Sequence, residues 1–324
     1  MVIIADSKSK GYEFAQGVYE HINRKEGRQF TLNLADIKRN EFKDGEYKLK
    51  ISHNIRRKKC FYIHDPNKDA CKWVADLVFI LDAMAFSSPS EINVVFPYMR
   101  FARQDRKDES RVAVNIKAIA DIMSLHADRG LTVDLHTPQI QEFFGIPFDD
   151  LRSFPVLISH LLKNHGGILG NLVIVSPDAG GGKRVERLQK SLGNFGVNSD
   201  IAVCYKKRQK DNEVNEIKIM GDVSGKNCLI LDDIIDTGNT LIKTVESLRG
   251  VGAGRVFAYG THGVLSGGLE KFKVLDKLIL SDSLCCDGAD KEMFDNVEVI
   301  SLVELFGEAI YRTFVGQSLS SLFD

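Results

Sequence analysis

One stretch of the chain decides its fold class: Cys228-Leu-Ile-Leu-Asp232-Asp233-Ile-Ile-Asp236-Thr237-Gly238-Asn239-Thr240. An apolar run typical of a buried strand leads into two carboxylates, a turn of small residues and then a helix-like segment. Such a turn can point successive backbone N–H groups at one phosphate, assisted by the positive end of the helix. Thr237 and Thr240 add hydroxyl donors, whereas Asp232 and Asp233 can meet sugar hydroxyls or a metal ion. Helix capping by Asp236 or Thr240 explains one polar residue, but not this set.

The same alternation of short apolar runs and longer helix-like segments continues along the chain. Strands are predicted at Val2–Ala5, Cys60–His64, Ile92–Phe96, Leu131–Leu135, Leu172–Val175, Ile201–Tyr205, Cys228–Leu231 and Val256–Tyr259. Helices are predicted at Lys68–Phe86, Ala113–His126, Phe154–His165, Lys183–Gly193 and Thr240–Gly250. This alternation predicts α/β domains with mainly parallel sheets flanked by helices.

The pattern restarts near Phe154, so we predict two domains, residues 1–151 and residues 152–324. A length of 324 residues is that of about two ordinary domains. The two halves have a similar rhythm, which suggests duplication, although no residue-level repeat supports it. The polar stretch Lys206–Glu216 lacks an apolar period and is predicted to be a mobile loop between strands.

Composition excludes several classes of protein. The formal net charge is −1, so no overall field draws the chain to nucleic acid or to a membrane surface. The most apolar segment, Val74–Phe86, contains two aspartates and is too short to span a bilayer, which favours a core helix. The start of the chain lacks the basic and apolar regions of a signal peptide. None of the six cysteines forms a C-x-x-C pair, and three lie in apolar strand-like runs. We therefore expect buried free thiols and a cytoplasmic location.

A second segment, Val175–Arg184, also runs from a strand through a carboxylate and a glycine turn into a helix. Ligands of open α/β sheets bind at the carboxyl ends of strands, which makes Asp178 a candidate contact. The segment is not a Walker A loop, because Pro177 stands in place of its first glycine and Arg184 in place of Ser or Thr.

Four further segments are ambiguous when taken alone. Phe96–Lys107 carries four basic residues after a strand, which a solvated charged face also explains. Val133–His136 ends in a histidine, and a histidine at a strand end is more often structural than a ligand. Phe42–Glu46 is an ordinary Asp-Gly turn by itself, and Tyr205–Arg208 is a short basic run.

Taken together, the order and spacing of these six segments resemble the ribose-phosphate pyrophosphokinase family, also called phosphoribosyl-pyrophosphate synthetase. The resemblance runs from Phe42 nearly to the C-terminus and includes Thr261–Gly267 and Gln317–Phe323. It implies two similar type I phosphoribosyltransferase-like domains, with the final helix packing on the N-terminal one. It also implies transfer of the β,γ-pyrophosphoryl group of Mg²⁺-ATP to the anomeric hydroxyl of ribose 5-phosphate, giving 5-phosphoribosyl 1-pyrophosphate and AMP.

The resemblance also implies a role for each residue that matches a family motif. Lys206 and Arg208 correspond to a catalytic basic pair, and His136 and Asp178 to residues that position Mg²⁺. The implied contacts of ATP, held mainly by the neighbouring subunit, are Phe42, Asp44, Glu46, Arg103 and Gln104. The implied contacts of ribose 5-phosphate are Asp232, Asp233, Asp236, Thr237, Gly238, Asn239 and Thr240. These roles imply a homo-oligomer whose minimum active unit is a dimer, and the resemblance also allows a hexamer.

Regulation by phosphate and ADP is a further implication of the resemblance. The matching residues are Ser110, Gln141, Asp149, Ser318 and Ser320. The chain departs from the family pattern at Asn239, which replaces a small residue, and at Asp108–Val114, which replaces a more basic stretch. Because carboxylates repel anions, we expect the regulatory site to bind phosphate and ADP more weakly than usual.

Two other functions remain as alternatives. A type I phosphoribosyltransferase that consumes phosphoribosyl pyrophosphate would account for Asp232–Thr240, but not for the N-terminal domain with Arg103, Gln104 and His136. A non-catalytic regulatory homologue that assembles with active subunits would be expected to lose residues of the catalytic loop. Release of AMP that depends on ribose 5-phosphate distinguishes the three functions.

Overall fold

The computed structural model describes residues 1–27, 29–210, 213–284 and 294–322, without the side chains of 206–210 and 213–216. The chain divides into two compact units. The first contains Met1–Arg152 and the described C-terminal residues from Leu302 onward, and the second contains Ser153–Asp282 and the last strand. Within the described residues, each unit is built on one seven-stranded sheet.

The sheet of the first unit has the strand order β3-β2-β1-β4-β5-β6-β7. Its strands are β1 (Val2–Ala5), β2 (Asn33–Glu41), β3 (Tyr47–Ile51), β4 (Lys59–Ile63), β5 (Glu91–Phe96), β6 (Arg129–Val133) and β7 (Phe148–Leu151). Neighbouring strands are parallel except β2 and β3, which form an antiparallel hairpin. The associated helices are α1 (Tyr12–Asn23), α2 (Ala70–Phe86) and α3 (Asn115–Ser124).

Helix α2 shows why these residues form a core helix. The Asp69 side chain accepts the N–H groups of Cys71 and Lys72 and so caps the start of the helix. Apolar residues at helical spacing, including Trp73, Leu77 and Ile80, are buried against the sheet. The prediction of a core helix at this segment is therefore confirmed.

The second unit repeats the topology of the first. Its strands are β8 (Leu172–Ser176), β9 (Ser199–Lys210), β10 (Glu213–Met220), β11 (Asn227–Ile235), β12 (Val256–Gly263), β13 (Lys277–Ser281) and β14 (Val297–Ile300). The order is β10-β9-β8-β11-β12-β13-β14, so each strand takes the place of the strand seven earlier in the first unit. The associated helices are α4 (Phe154–Asn164), α5 (Gly166–Leu169), α6 (Gly182–Gly193) and α7 (Asn239–Gly250). Two α/β sheets that are mainly parallel were predicted, and this is confirmed.

The prediction of a loop at Lys206–Glu216 is wrong for residues 206–210 and 213–216, and residues 211–212 lie outside the described part of the chain. The backbone of the described residues continues β9 and β10 as an antiparallel ladder, with Ile217 paired to Lys206 and register shifts near Val214. Ladder hydrogen bonds use backbone groups alone, so a strand at the edge of a sheet can form without alternating apolar side chains. The β2–β3 hairpin and the last two strands, β13 and β14, were also missed, as were β7 and α1.

The last helix, α8 (Val303–Val315), belongs to the first unit. It packs against α1, where the rings of Phe14 and Phe306 meet edge to face with centroids 5.4 Å apart. Gly307 permits this approach, because a Cβ there would lie 2.7 Å from the ring of His21. In the described part of the chain, no helix has the length and apolarity needed to cross a bilayer.

Candidate functional site

Two neighbouring carboxylates, Asp232 and Asp233, lie near the carboxyl end of β11. Arg184 of α6 places its Nη1 atom 3.0 Å from Asp233 Oδ1 and 3.8 Å from Asp232 Oδ1. The backbone N–H of Asp233 donates to Asp232 Oδ1 at 2.9 Å. Burial and the charge of Asp233 raise the pKa of Asp232 well above its ordinary value, although Arg184 opposes this shift. The single guanidinium group of Arg184 thus lies beside two carboxylates. Because one positive charge does not balance two negative charges, the two carboxylates favour binding of a further cation or of a hydroxyl donor.

The turn of residues 236–240 follows β11 directly and leads into α7. Gly238 has φ of 75°, and a Cβ there would lie 2.4 Å from the Phe272 ring, so the position requires glycine. Gly238 is also the N-cap residue, and as a glycine it has no side chain with which to cap the helix. A helix N-terminus can present its first N–H groups to an anion.

The segment after β12 supports this turn. Ser266 Oγ donates a short hydrogen bond to Asp236 Oδ1, and Lys271 Nζ donates to the carbonyl of Thr237 at 2.6 Å. Lys271 therefore places an ammonium group beside the turn. The sequence analysis did not single out Lys271 or predict the ion pairs of Arg184. Lys271 is 34 residues from Thr237, so no local pattern connects the two.

The glycine loop after β8 lies at the carboxyl end of the strand adjacent to β11. Oδ1 of Asp178 accepts the N–H groups of Gly180 at 2.9 Å and Gly181 at 3.1 Å. A Cβ at Gly181 would lie 2.4 Å from Ser176 Oγ, so the loop is too tight for a larger residue. The exposed Asp178 carboxylate contributes to the raised pKa of Asp232. The structure thus brings the two predicted segments of this unit together.

Lys206 and Arg208 lie on β9, which pairs with β8. Their side chains lie outside the part of the chain that the structure describes. Their assignment as the catalytic basic pair stays a prediction.

In the first unit, the predicted nucleotide contacts Phe42, Asp44 and Glu46 form the tip of the β2–β3 hairpin. Phe42 N–H donates to the Glu46 carbonyl at 2.7 Å, and Glu46 N–H donates to Asp44 Oδ1 at 3.0 Å. Gly45 has φ of 91°, which explains the glycine of this turn. The Phe42 side chain is 49% exposed, so an apolar ring stands at the tip where a planar group can stack on it.

Arg103, Gln104 and His136 lie on the loops that follow β5 and β6, and all three side chains are exposed. A hydrogen bond of 2.7 Å from Thr137 Oγ1 to Asp105 Oδ2 joins the two loops. The structure therefore brings these three predicted residues to one end of the first sheet.

Only some of the predicted regulatory residues meet in one place. Asp149 and Ser320 line a cavity of about 570 Å³ in the first unit, and Ser318 lies beside it because its Oγ accepts Ser320 N–H at 3.2 Å. Ser110 and Gln141 are described but do not line this cavity. Its two basic residues are already paired, Lys59 with Glu91 and Arg129 with Asp149.

Comparison with known proteins agrees with this architecture. The model of the N-terminal domain of ribose phosphate pyrophosphokinase matches residues 1–126, and that of the phosphoribosyl synthetase-associated domain matches residues 196–324. A ribose-phosphate pyrophosphokinase of Chlorobaculum tepidum is 40% identical over 295 residues, covering 90% of this chain and 88% of its own. One of Brucella melitensis is 37% identical, covering 96% of both chains.

A solved structure leads to the same family. The crystal structure of phosphoribosylpyrophosphate synthetase from Mycobacterium smegmatis matches with a TM-score of 0.84 and 27% identity, covering 98% of this chain and 99% of its own. The match extends over both units and therefore over both duplicated sheets. The chain belongs to the ribose-phosphate pyrophosphokinase family.

Proposed function

We propose that this protein transfers the β,γ-pyrophosphoryl group of ATP to the anomeric hydroxyl of ribose 5-phosphate, releasing AMP and 5-phosphoribosyl 1-pyrophosphate. One observation carries the proposal. At the carboxyl ends of β8 and β11, a pair of carboxylates stands directly before a glycine turn and the N-terminus of a helix. A sugar phosphate carries both hydroxyl groups and a dianion, and this arrangement has a partner for each.

The turn of residues 236–240 is suited to the 5-phosphate of the sugar. The first N–H groups of α7 and the hydroxyls of Thr237 and Thr240 are donors, and the Lys271 ammonium adds positive charge nearby. Asp232 and Asp233 can accept hydrogen bonds from ribose hydroxyls, with Arg184 holding the pair in place. In this role the turn binds a group that does not react, so it orients the anomeric hydroxyl towards the nucleotide.

The reaction itself requires alignment and charge stabilisation more than covalent chemistry by the protein. The anomeric oxygen forms a bond to the β-phosphorus, the bond from that phosphorus to the α–β bridging oxygen breaks, and AMP leaves. Lys206 and Arg208 are the residues that we propose to stabilise charge on the β,γ-phosphates. Arg103, Gln104 and the hairpin tip with Phe42, Asp44 and Glu46 are proposed to hold the nucleotide.

Mg²⁺ fits the donor set at the strand ends. The exposed carboxylate of Asp178 and the Asp232–Asp233 pair offer oxygen atoms, the ligand type that Mg²⁺ prefers. Burial, and then the negative charge of Asp233, raise the pKa of Asp232 more than Arg184 lowers it, and a bound cation would offset that charge. When bound, the ion neutralises charge on phosphate oxygens. We keep Asp178 and His136 as the proposed residues that position it.

The products formed from ATP test this proposal. Purified protein supplied with MgCl₂, ATP and ribose 5-phosphate should release one AMP per phosphoribosyl pyrophosphate, and no AMP when the sugar phosphate is omitted. Asp232→Asn should strongly lower turnover, whereas Asp222→Asn, at an exposed position of the same unit, should not. ADP as the product would indicate simple phosphoryl transfer, and an absence of turnover would favour the non-catalytic homologue.

Assembly, regulation and location extend the proposal. We propose a homo-oligomer with a dimer as its minimum active unit, modulated by phosphate and ADP at the cavity that contains Asp149 and Ser320. Cys60, Cys204 and Cys228 are buried free thiols, and burial raises their pKa values to about 12, 11 and 11. Such thiols suit a reducing compartment, which supports a cytoplasmic location. Cys71, in contrast, is exposed.

A further inference from the structure

Two histidines and a glutamate converge in the second unit, outside the proposed active site. His160 is near the end of α4, His165 is the residue between α4 and α5, and Glu298 is on the edge strand β14. Both Nε2 atoms lie 2.8 Å from Glu298 Oε2. All three ligand atoms lie within 4.8 Å of one another.

The cluster lies at the opposite end of the sheet from the substrate-binding turn. Glu298 is the second residue of β14, and its neighbour Lys277 is the first residue of β13. The His165 ring packs edge to face on Phe257, the second residue of β12. These are amino ends of parallel strands, whereas Asp178 and the turn of residues 236–240 follow carboxyl ends. The cluster therefore takes no part in binding the sugar phosphate.

The surroundings of Glu298 keep its carboxylate charged and oriented. Burial disfavours the charge, but hydrogen bonds from His165, Lys277 and His160 outweigh it and lower the pKa of Glu298 to about 2. Lys277 Nζ holds Oε1 at 2.9 Å, which leaves Oε2 directed at the two imidazoles. The side chains of His160, His165 and Glu298 are 19%, 14% and 28% exposed, so the cluster is shielded but open to a small ion.

The imidazole of His160 also has an outer partner. Asn164 Nδ2 lies 3.0 Å from His160 Nδ1. In the present arrangement the amide donates to Nδ1, and the ring proton on Nε2 faces Glu298. If the amide turns over, its oxygen accepts a proton on Nδ1, and the Nε2 lone pair is then directed at the cluster. Outer partners of this kind orient histidine ligands of metals.

We propose that His160, His165 and Glu298 bind a borderline divalent transition-metal ion, with Zn²⁺ as the representative, and that water completes the coordination. Two imidazoles, a carboxylate and a water are a common tetrahedral ligand set for Zn²⁺. Mg²⁺ prefers oxygen ligands, so the proposed ion is not the Mg²⁺ of the reaction. The bound ion would tie the α4–α5 junction to the edge strand β14 and stabilise the second unit.

Zinc titration of the complete, chelator-treated protein against a fluorescent zinc indicator tests the proposal. The parent should bind one Zn²⁺ more per chain than His160→Gln or His165→Gln, or bind that ion at least about tenfold more tightly, a difference of about 1.4 kcal/mol. His126→Gln, which changes an exposed histidine of the first unit, should match the parent. MgCl₂ should not displace the ion. Equal binding by the parent and both cluster variants would overturn the proposal.

A measurement on the parent alone avoids reliance on variants that fold poorly. Bound Co²⁺ should give the intense visible absorption of a tetrahedral site, and X-ray absorption of the zinc-loaded protein should show two imidazoles and no sulfur ligand. Sulfur ligands would assign the bound ion to cysteines, and an octahedral all-oxygen site would assign it to carboxylates. Either outcome would overturn the proposal, and the cluster would then only join α4 and the α4–α5 junction to β14 by hydrogen bonds.

Discussion

Single residues at the strand ends carry distinct tasks in the proposed site. Arg184 compensates two carboxylates, Gly238 permits the left-handed backbone of the turn, and Lys271 supplies charge beside it. Thr240 lies in the first turn of α7, and we proposed that its hydroxyl donates to the 5-phosphate of the sugar. Loss of one hydroxyl should therefore affect binding of the sugar phosphate without changing the chemistry.

Replacing Thr240 by Val tests this assignment, because valine keeps the shape and removes the hydrogen bond. A hydrogen bond to a charged group contributes about 1.5–3 kcal/mol, so the KM for ribose 5-phosphate should rise about tenfold to a hundredfold. The kcat should change little, since the 5-phosphate does not react. Ser247→Ala, near the other end of α7, is the matched control. An unchanged KM for ribose 5-phosphate would mean that the turn does not bind the phosphate.

His64 is a residue whose environment couples stability to pH. It is fully buried in the first unit; Tyr62 donates its hydroxyl to Nδ1 at 2.6 Å, and Nε2 donates to the Trp73 carbonyl at 3.0 Å. Burial, followed by the charge of Lys68, lowers the pKa of His64 to about 3. The folded state therefore resists protonation that the unfolded state accepts near pH 6.5.

Stability of the first unit should consequently fall as the pH falls from about 6.5 towards 3. At pH 5 the contribution of His64 amounts to a loss of about 2 kcal/mol relative to pH 7. Urea unfolding followed by fluorescence of Trp73, the one tryptophan of the chain, measures this unit. His64→Gln should have a shallower dependence on pH than the parent, whatever its stability at pH 7. Parallel pH profiles for the two proteins would rule out a role for His64.

At the scale of elements, α2 is held to the β2–β3 hairpin by a buried charge. Asp76 is 1% exposed and accepts hydrogen bonds from Lys68, from Tyr47 at 2.8 Å and from Arg39. Burial opposes ionisation of this carboxyl group, but Lys68 and the other partners outweigh it and lower its pKa. The hairpin that carries Phe42 thus depends on a charge in the middle of α2.

Asp76→Asn should destabilise the first unit by about 3–5 kcal/mol, because it removes the carboxylate partner of the mostly buried Arg39 and leaves Lys68 paired with Asp6 alone. The urea midpoint reported by Trp73 fluorescence measures the effect. Asp82→Asn, on the exposed side of the same helix, should change the free energy of unfolding by less than about 0.5 kcal/mol. Equal effects of the two substitutions would show that the charge network contributes nothing specific.

The loop between β5 and α3 is the element that bears on regulation. Asp108 and Glu109 are exposed on it and do not line the cavity that contains Asp149 and Ser320. They can act on an anion only through solvent, where salt screens the interaction. Asp108→Ala/Glu109→Ala should therefore increase the affinity for activating phosphate by less than about tenfold at low ionic strength, and by still less at high salt. Asp121→Ala, on α3, is the control, and phosphate titration of the activity is the measurement. No gain in the double variant would remove this loop from regulation.

At the scale of the whole molecule, two sheets of the same strand order carry different groups at their carboxyl ends. The second unit carries the carboxylate pair and the glycine turns, whereas the first carries Arg103, Gln104 and His136. The first unit also projects a hairpin whose tip, with Phe42, is exposed. In the proposed dimer, this hairpin would contact the nucleotide at the site of the neighbouring subunit, as the family resemblance implies.

Mixing subunits tests that proposal. Phe42→Ala and Lys206→Ala subunits should each be weakly active alone, but after equal mixing about a quarter of dimer sites would contain both native residues. The mixture should therefore recover up to about a quarter of parental activity in the AMP-release assay. Each variant subjected to the same exchange alone is the control. A mixture no more active than its components, or a fully active monomer in sedimentation, would contradict the proposal.

The sequence by itself determined the α/β class and the two strand–turn–helix segments, one containing Asp178 and the other containing Asp232–Thr240. It could do so because each segment is continuous, and its apolar run, its glycine turn and the start of its helix lie within about a dozen residues. The family resemblance rests on the same continuous segments. The burial of Cys60, Cys204 and Cys228 and the core helix α2 were likewise apparent, since burial follows from local apolar pattern. The expected burial is wrong for Cys71, and Cys285 and Cys286 lie outside the described residues.

Tertiary structure alone decided which distant side chains compensate one another. Arg184 with Asp232 and Asp233, Lys271 with Thr237, and the His160–His165–Glu298 cluster join residues far apart in the chain. The β9–β10 ladder was missed for a related reason. Its hydrogen bonds join backbone groups, and the polar side chains of this stretch do not show the alternating pattern that predicts a strand. Local periodicity reports which face of an element is buried, but the partner of a charge or of a strand depends on how the sheet brings separate segments together.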